Sequence, residues 1–241
     1  MSHTSILQFR TANCKNCYKC IRNCPVKAIR VTNQQAQIIE EQCILCEKCI
    51  AVCPQHAKVE HDDIPAIQRV IASGKKVIAS VHPAYLARYG WNSIGDLEKY
   101  LQKMGFWKAF DAAQGAAVMK EEYTRLLREQ QQKKLVVSSN CPVVVRLIET
   151  KYPHLTEYLA PVYSMKQMHA AYLREQYPDA SIVYISPCIS VMSELKERQS
   201  CADYVITFGE LNNWMKDIQE KTERDEQKDV YLSFSDLRKW L

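Results

Sequence analysis

The sequence reads CKNCYKCIRNCP from Cys14 to Pro25 and CILCEKCIAVCP from Cys43 to Pro54. Both stretches follow one pattern, Cys-x-x-Cys-x-x-Cys-x-x-x-Cys-Pro, and the second begins 29 residues after the first. Eight of the chain's 11 cysteines lie in these two runs. Three thiols spaced by two residues on a short loop, followed by a fourth before a proline, are typical of an iron–sulfur ligand run. The repeat therefore governs how the first 60 or so residues fold.

The same pattern predicts how the ligands are shared. In two-cluster bacterial ferredoxins the fourth cysteine of each run ligates the other cluster. We therefore predict two [4Fe-4S] clusters, held by Cys14, Cys17, Cys20 and Cys53 at site 1 and by Cys43, Cys46, Cys49 and Cys24 at site 2. Zinc sites usually use Cys-x-x-Cys pairs with a longer gap between them. A disulfide framework is typical of secreted proteins, whereas Met1–Arg10 lacks the apolar core of a signal peptide.

Composition limits the classes of partner. The chain has 241 residues, 47% of them hydrophobic, which allows one large or two modest domains. No apolar run approaches the roughly 20 residues that span a bilayer, so we expect no membrane span, and reduced thiols without an export signal indicate the cytoplasm. The formal net charge of +5 falls to about +1 when two clusters and their thiolates are counted. We therefore expect no nucleic-acid partner.

Several basic residues nevertheless lie close to the cysteine runs. They are Lys15, Lys19, Arg22, Lys27 and Lys48. A solvated face that offsets cluster charge is the favoured interpretation. The alternative is that these residues steer an acidic redox partner toward the clusters.

The pattern of strands and helices predicts two domains. Residues 1–60 form an α+β ferredoxin-like cluster domain, with two short strands on either side of Asn33. Residues 61–241 form an α/β lobe, in which strands alternate with helices as in a parallel sheet. Its predicted strands are Lys76–Val81, Lys134–Ser138, Ile182–Ser186 and Tyr204–Phe208. A capped helix is predicted at Tyr231–Leu241, where it ends on apolar residues as if unfinished.

Two of the remaining cysteines lie in matched positions. Cys141 follows the predicted strand Lys134–Ser138, and Cys188 follows Ile182–Ser186. Open α/β sheets bind ligands at the carboxyl ends of their strands, and a helix N-terminus lowers the pKa of a thiol. Cys141 and Cys188 are therefore candidate cofactor-binding residues. Their placement alone fits two ordinary buried cysteines equally well.

Six stretches, taken in order, resemble the iron-only ([FeFe]) hydrogenase family. They are Val77–Pro83, Leu97–Phe110, Met119–Glu122, Ser138–Pro142, Pro187–Cys188 and Asp203–Leu211. Ser138–Pro142 falls on the family's Thr-Ser-Cys-Cys-Pro motif, and Pro187–Cys188 on its Met-Pro-Cys-x-x-Lys-Lys motif. The resemblance implies ferredoxin-like clusters ahead of a two-lobed catalytic domain, in which Cys141 and Cys188 are the first two of four cysteines around a cubane.

The chain departs from this family where the family's chemistry lies. Asn140 replaces a proton-delivering cysteine, and an amide has no proton to relay at neutral pH. Val191 replaces a lysine that contacts a cyanide of the two-iron unit, and Ser186 replaces a methionine. The family's later Cys-x-x-x-Cys motif is not found before Leu241, so we expect the second lobe to be absent. These departures resemble sensory-type relatives and predict that the chain is not a complete hydrogenase on its own.

Three functions fit these residues, in order of preference. The first is an iron–sulfur electron-transfer protein with an incomplete hydrogenase-like domain, whose partner is a redox protein or a second lobe or subunit docked near Cys141 and Cys188. The second is a redox- or hydrogen-sensing regulatory module. The third is an iron hydrogenase completed by another chain or C-terminal segment. A third cluster at Cys141 and Cys188 is an open alternative among the cofactors.

Overall fold

The computed structural model describes residues 6–60, 62–90, 93–129, 135–197 and 201–218. The helix predicted at Tyr231–Leu241 lies outside these residues. Within them, a small α+β unit that holds the two cysteine runs is followed by a larger unit with a parallel sheet. No helix in the described ranges has both the length and the apolar character needed to cross a membrane.

The first unit consists of two strand pairs and two short helices. Its elements are β1 (Leu7–Phe9), α1 (Lys19–Asn23), β2 (Ile29–Thr32), β3 (Gln35–Ile38), α2 (Lys48–Ala51) and β4 (Lys58–Glu60). β1 pairs antiparallel with β4, and β2 pairs antiparallel with β3. Asn33 and Gln34 connect β2 to β3 with φ values of 50° and 58°, as a type I′ turn requires. The two strands predicted around Asn33 are confirmed.

The 29-residue repeat is visible in the backbone as well as in the sequence. Three pairs of non-glycine residues with left-handed φ lie 29 positions apart: Asn16 and Leu45, Tyr18 and Glu47, and Lys27 and His56. A side chain in this region costs about 1–2 kcal/mol, so it persists only where the surrounding structure requires it. The two cysteine loops therefore follow the same unusual path.

The second unit is built around four parallel strands. Its elements are α3 (Ile64–Ala72), β5 (Val77–Val81), α4 (Tyr85–Tyr89), α5 (Ile94–Lys103), β6 (Lys108–Asp111), α6 (Gln114–Glu129), α7 (Pro142–Lys151), α8 (Met165–Gln176), β7 (Ser181–Ser186), α9 (Ser190–Glu197), β8 (Tyr204–Thr207) and the helical residues 208–218. The strand order is β6-β5-β7-β8. Every residue of β5 and β7 is buried, as expected for central strands covered on both faces. The predicted parallel sheet is confirmed.

One predicted strand of the sheet is wrong. Within Lys134–Ser138, the described residues from Leu135 onward include no sheet strand, and Val137 makes a single parallel bridge with Leu159. Leu135 is half exposed, so this short apolar run does not need a place in the core. The remaining strand of the sheet is instead β6, which pairs with β5 and which the sequence did not predict.

The two units share buried apolar contacts. Ile189, which follows Cys188, is fully buried and packs in the same cluster as Leu7, Cys20 and Cys24 of the first unit. Asp63, in the connection between the units, accepts a hydrogen bond from the backbone N–H of Val205 at 3.1 Å. The cysteine-rich unit is therefore anchored on the side of the lobe that carries Cys188.

Candidate iron–sulfur sites and the Cys141 and Cys188 turns

The four cysteines predicted for site 1 surround one cavity. Cys14, Cys17, Cys20 and Cys53 all line the same opening. Lys15, Lys19 and Lys58 also line it, together with Tyr18, which is 41% exposed. The cavity therefore lies near the surface and has a basic rim.

The cysteines predicted for site 2 surround a second cavity. Cys24 comes from the first run, while Cys43, Cys46 and Cys49 come from the second. Its other lining residues are mostly apolar and include Leu7, Val26, Ala28, Ile29, Ile38 and Ile44. The structure thus brings together each predicted ligand set, including the fourth cysteine from the opposite run.

Three features of these loops fit an iron–sulfur cluster. The donors are four thiols per cavity, which is the ligand set of a [4Fe-4S] cluster. Left-handed residues lie between the cysteines, and this backbone conformation occurs in the nests that bind anionic groups. Backbone N–H groups already point at two sulfurs: Ala28 donates to Cys24 Sγ at 3.2 Å and Leu45 to Cys43 Sγ at 3.4 Å.

The thiols surround a space and do not meet at a point. Among the residues that the structure describes, no three His, Cys, Asp or Glu side chains converge as they would around a single metal ion. Burial raises the pKa of the Cys49 thiol to about 12, although nearby Lys58 lowers it, and burial also raises the pKa of Cys43. Binding of a cluster must therefore release protons from this chain.

The Cys141 turn, residues 138–141, lies at the start of α7. Cys141 is exposed and occupies the N-cap position of that helix. Asn140 is bonded through both of its oxygens: Oδ1 accepts from the Met165 N–H at 3.1 Å, and the backbone carbonyl accepts from Lys166 Nζ at 2.8 Å. The residue that replaces the relay cysteine is thus engaged in holding the turn to α8.

The Cys188 turn, residues 186–190, connects β7 to α9. Ser186 Oγ accepts from the Cys188 N–H at 3.1 Å, and Cys188 Sγ lies 2.9 Å from Ser190 Oγ. Burial raises the pKa of the Cys188 thiol, more than its hydrogen bonds to Ser190 lower it, and the charges of Glu47 and Cys141 raise it further. The pKa of Cys188 is therefore raised by burial, whereas its position before a helix was expected to lower it.

A buried ion pair connects the two turns. Lys166 Nζ lies 2.7 Å from Glu194 Oε2, and each side chain is only 6% exposed. Lys166 also donates to Asn140 on the Cys141 turn, while Glu194 lies on α9, directly after the Cys188 turn. The sequence did not single out either residue. Ser164 and Gln167 form a capping box that could have predicted the start of α8, but nothing in the sequence pairs Lys166 with Glu194.

Val191 is part of a buried apolar cluster. It is 5% exposed and belongs to a cluster with Ala112, Met192, Leu195 and Val205. The position at which the resembling family carries a lysine is therefore part of the core in this chain.

The comparisons with known proteins match both units. The family model for the C-terminal domain of the iron only hydrogenase large subunit matches residues 75–238, and the model for a 4Fe-4S dicluster domain matches residues 13–57. The chain is 26% identical over 214 residues to the NADP-reducing hydrogenase subunit HndD of Solidesulfovibrio fructosivorans, which covers 76% of this chain and 37% of that protein.

Further similarities agree with these matches. The chain is 29% identical over 167 residues to iron hydrogenase 1 of Clostridium pasteurianum, covering 62% of this chain and 29% of that protein. A solved [FeFe]-hydrogenase structure, from work on oxygen inactivation of its H cluster, is similar with a TM-score of 0.57 and 26% identity, covering 66% of this chain and 48% of that one. The chain spans less than half the length of each of these proteins.

Proposed function

Since the chain belongs to the family of the iron-only hydrogenase large subunit, we propose that it is an electron-transfer protein that carries two [4Fe-4S] clusters, one at site 1 and one at site 2. The family resemblance and the fold class predicted from the sequence are confirmed. We further propose the division into a cluster domain at residues 1–60 and a hydrogenase-like lobe at residues 61–241.

The observation that carries this proposal is the exchange of the fourth cysteine between the runs. Cys53 lines the cavity of the first run, and Cys24 lines the cavity of the second. This is the ligand pattern of two-cluster ferredoxins, in which each cluster transfers one electron at a time. The shared ligands also hold the two runs together in a unit too small to bury much apolar core.

The surroundings of the two sites suggest where redox partners dock. Site 1 has a basic rim and an exposed Tyr18, so a redox protein with an acidic surface is the partner that this rim would attract. Site 2 lies toward the lobe, where Ile189 of the Cys188 turn packs beside Cys24. We propose that a second partner, either a redox protein or another lobe or subunit, docks at the Cys141 and Cys188 turns.

The chain's own residues argue against hydrogen turnover at these turns. Asn140 holds its neighbours by hydrogen bonds and has no proton to relay, while Val191 is buried among apolar side chains. Cys141 and Cys188 supply two thiols, so a third cluster there would need ligands from the docked partner.

Cluster analysis of serine variants tests the proposal. Protein reconstituted without oxygen should hold about eight irons, and Cys14→Ser or Cys53→Ser should each lose the same cluster and leave about four. Cys24→Ser should instead match Cys43→Ser in the electron paramagnetic resonance signal that disappears. Cys201→Ser, outside both sites, is the matched control and should keep about eight irons.

Three results would count against it. If Cys53→Ser lost the same signal as Cys49→Ser, each run would hold its own cluster and the exchange would be wrong. About twelve irons in the wild type, reduced to about eight by Cys141→Ser, would instead establish a third cluster within this chain alone. Hydrogen evolution from a reduced dye, after supply of the two-iron unit, would favour the enzyme over the electron-transfer protein.

A further inference from the structure

The site 2 loop, residues 43–47, carries two of the predicted ligands and is held by the lobe at both of its ends. At its first residue, the carbonyl of Cys43 accepts a hydrogen bond from Arg146 Nε at 3.0 Å. At its fifth residue, the carboxylate of Glu47 accepts a hydrogen bond from the Ile189 N–H at 2.5 Å. Arg146 lies on α7, which begins after Cys141, and Ile189 is bonded to Cys188. The Cys188 turn and the helix that follows the Cys141 turn therefore each contribute one contact to the same short loop.

From this geometry we propose that Glu47 and Arg146 are positioning residues, which fix the site 2 loop at a set distance from the Cys141 and Cys188 turns. This inference rests on the proposed function only in the reason it gives for these contacts. That reason is to keep the distance for electron transfer between site 2 and the Cys141 and Cys188 turns constant. The contacts themselves belong to the chain with or without a partner.

The Glu47 contact is built to be strong. Hydrogen bonds to ionised groups are shorter and stronger than bonds between neutral groups, and the donor residue Ile189 is fully buried. The backbone at Glu47 is left-handed, with φ of 62°, and its side chain makes no cap to the helix that follows. Loss of the carboxylate would leave a buried N–H without this acceptor, and buried unsatisfied groups are strongly disfavoured.

Arg146 makes a matching contact at the other end of the loop. Besides Cys43, it donates from a second nitrogen to the carbonyl of Glu40 at 3.3 Å. Its planar guanidinium thus spans the short helical turn at Glu40–Gln42 and the first ligand of site 2. Lysine has one donor group on a flexible stem and cannot reproduce both contacts.

The repeat supplies an internal control. Tyr18 is the residue of the first run that corresponds to Glu47, 29 positions earlier and also left-handed, with φ of 57°. It is 41% exposed at the rim of site 1. A carboxylate at this position is therefore not needed to form the ligand loop, and Glu47 is explained by its contact with the lobe.

The test measures the distance across the junction in cluster-loaded protein. A nitroxide is attached to the exposed Cys141 in a Cys188→Ser and Cys201→Ser background, and its spin relaxation is compared with the clusters oxidised and chemically reduced. Reduced clusters are paramagnetic and accelerate this relaxation steeply as the distance shortens. We expect one well-defined acceleration in the background protein, a weaker and broader one in Glu47→Leu, and recovery in Glu47→Gln, whose amide oxygen can still accept from Ile189.

Hydrogen exchange at the Ile189 amide gives a second measurement that does not depend on a cluster signal. Its rate should rise about tenfold or more in Glu47→Leu and remain near the wild-type value in Glu47→Gln. Arg146→Lys should weaken the relaxation effect, while Tyr18→Phe, at the matched position, should change neither measurement.

The outcomes separate this inference from the proposed function. Unchanged relaxation and exchange in Glu47→Leu and Arg146→Lys, with normal iron content, would overturn the positioning role while leaving the two clusters intact. If the wild type held no cluster at site 2, the proposed function would fail, and Ile189 exchange in the Glu47 variants would still decide the role of Glu47.

Discussion

The buried ion pair between Lys166 and Glu194 offers the most informative perturbation of the thiol turns. Both side chains are 6% exposed, and their charged atoms lie 2.7 Å apart. Lys166→Met removes the ammonium while nearly preserving volume. It leaves the Glu194 carboxylate without its partner and takes a donor away from the carbonyl of Asn140. Two elements, α9 and the Cys141 turn, are therefore affected by one substitution.

The expected cost follows from the burial of the pair. Removing one member of a buried ion pair typically costs about 3–5 kcal/mol, because the remaining charge stays desolvated. In a domain of this size 1 kcal/mol corresponds to about 2–4 °C, so Lys166→Met should lower Tm by about 6–20 °C. In the double variant Lys166→Met with Glu194→Leu neither charge is buried, although Asn140 still lacks its donor. Its free energy of unfolding should lie within about 2 kcal/mol of the wild-type value.

Thermal unfolding of the cluster-loaded protein without oxygen measures these changes, with iron content determined for each variant beforehand. Glu122→Gln is the control, because its partner Arg125 is 67% exposed and a surface pair contributes at most about 0.5 kcal/mol. The reasoning would be refuted by a Lys166→Met variant within about 1 kcal/mol of the wild type. A double variant as unstable as the single one would refute it equally, since relief of the unpaired charge is the central step.

Three further predictions concern other parts of the fold. His169 is buried, with Nδ1 2.7 Å from Ser80 Oγ, and burial lowers its pKa to about 4. The free energy of unfolding should therefore fall as pH drops from about 6.5 toward 4, because only the unfolded chain then gains the proton. Urea unfolding at several pH values should show that this free energy depends less on pH in His169→Gln than in the wild type. Gly115→Ala places a Cβ 2.3 Å from the carbonyl of Met165 and should cost about 1–3 kcal/mol in chemical unfolding, whereas Gly95→Ala, with Ser93 Oγ at 3.6 Å, should not destabilise. Gln34→Gly relieves a left-handed φ of 58° in the β2–β3 turn and should stabilise the protein by about 1 kcal/mol, with Gln35→Gly in β3 having the opposite sign.

The sequence predicted most accurately those elements whose signal is local. The strands at β5, β7 and β8 are apolar runs between turn signals. Each was found within one or two residues of its observed bounds. The doubled cysteine run likewise predicted which four thiols would line each cavity, because ligand spacing is a property of a short loop.

The errors arose where pairing across the chain decides the structure. Val137 looked like part of a sheet strand, but its backbone bonds go to Tyr158 and Ala160 in the connection before α8. β6 has only four residues and begins with Lys108 and ends with Asp111, so neither length nor apolar content marked it. The convergence of Lys166, Glu194, Glu47 and Arg146 on the thiol turns has no counterpart in sequence spacing, since each residue comes from a different element.

The positions that depart from the hydrogenase pattern are integrated into this structure. Ser186 bonds the backbone of Cys188, Asn140 holds Met165 and Lys166, and Val191 fills an apolar cluster. Replacing Val191 by lysine would place an ammonium among Ala112, Met192 and Val205, where desolvation of the charge is costly. Restoring the family's residues one at a time would therefore break existing contacts before it rebuilt a catalytic site. This is the expected pattern for a lobe adapted to hold its two thiol turns in place.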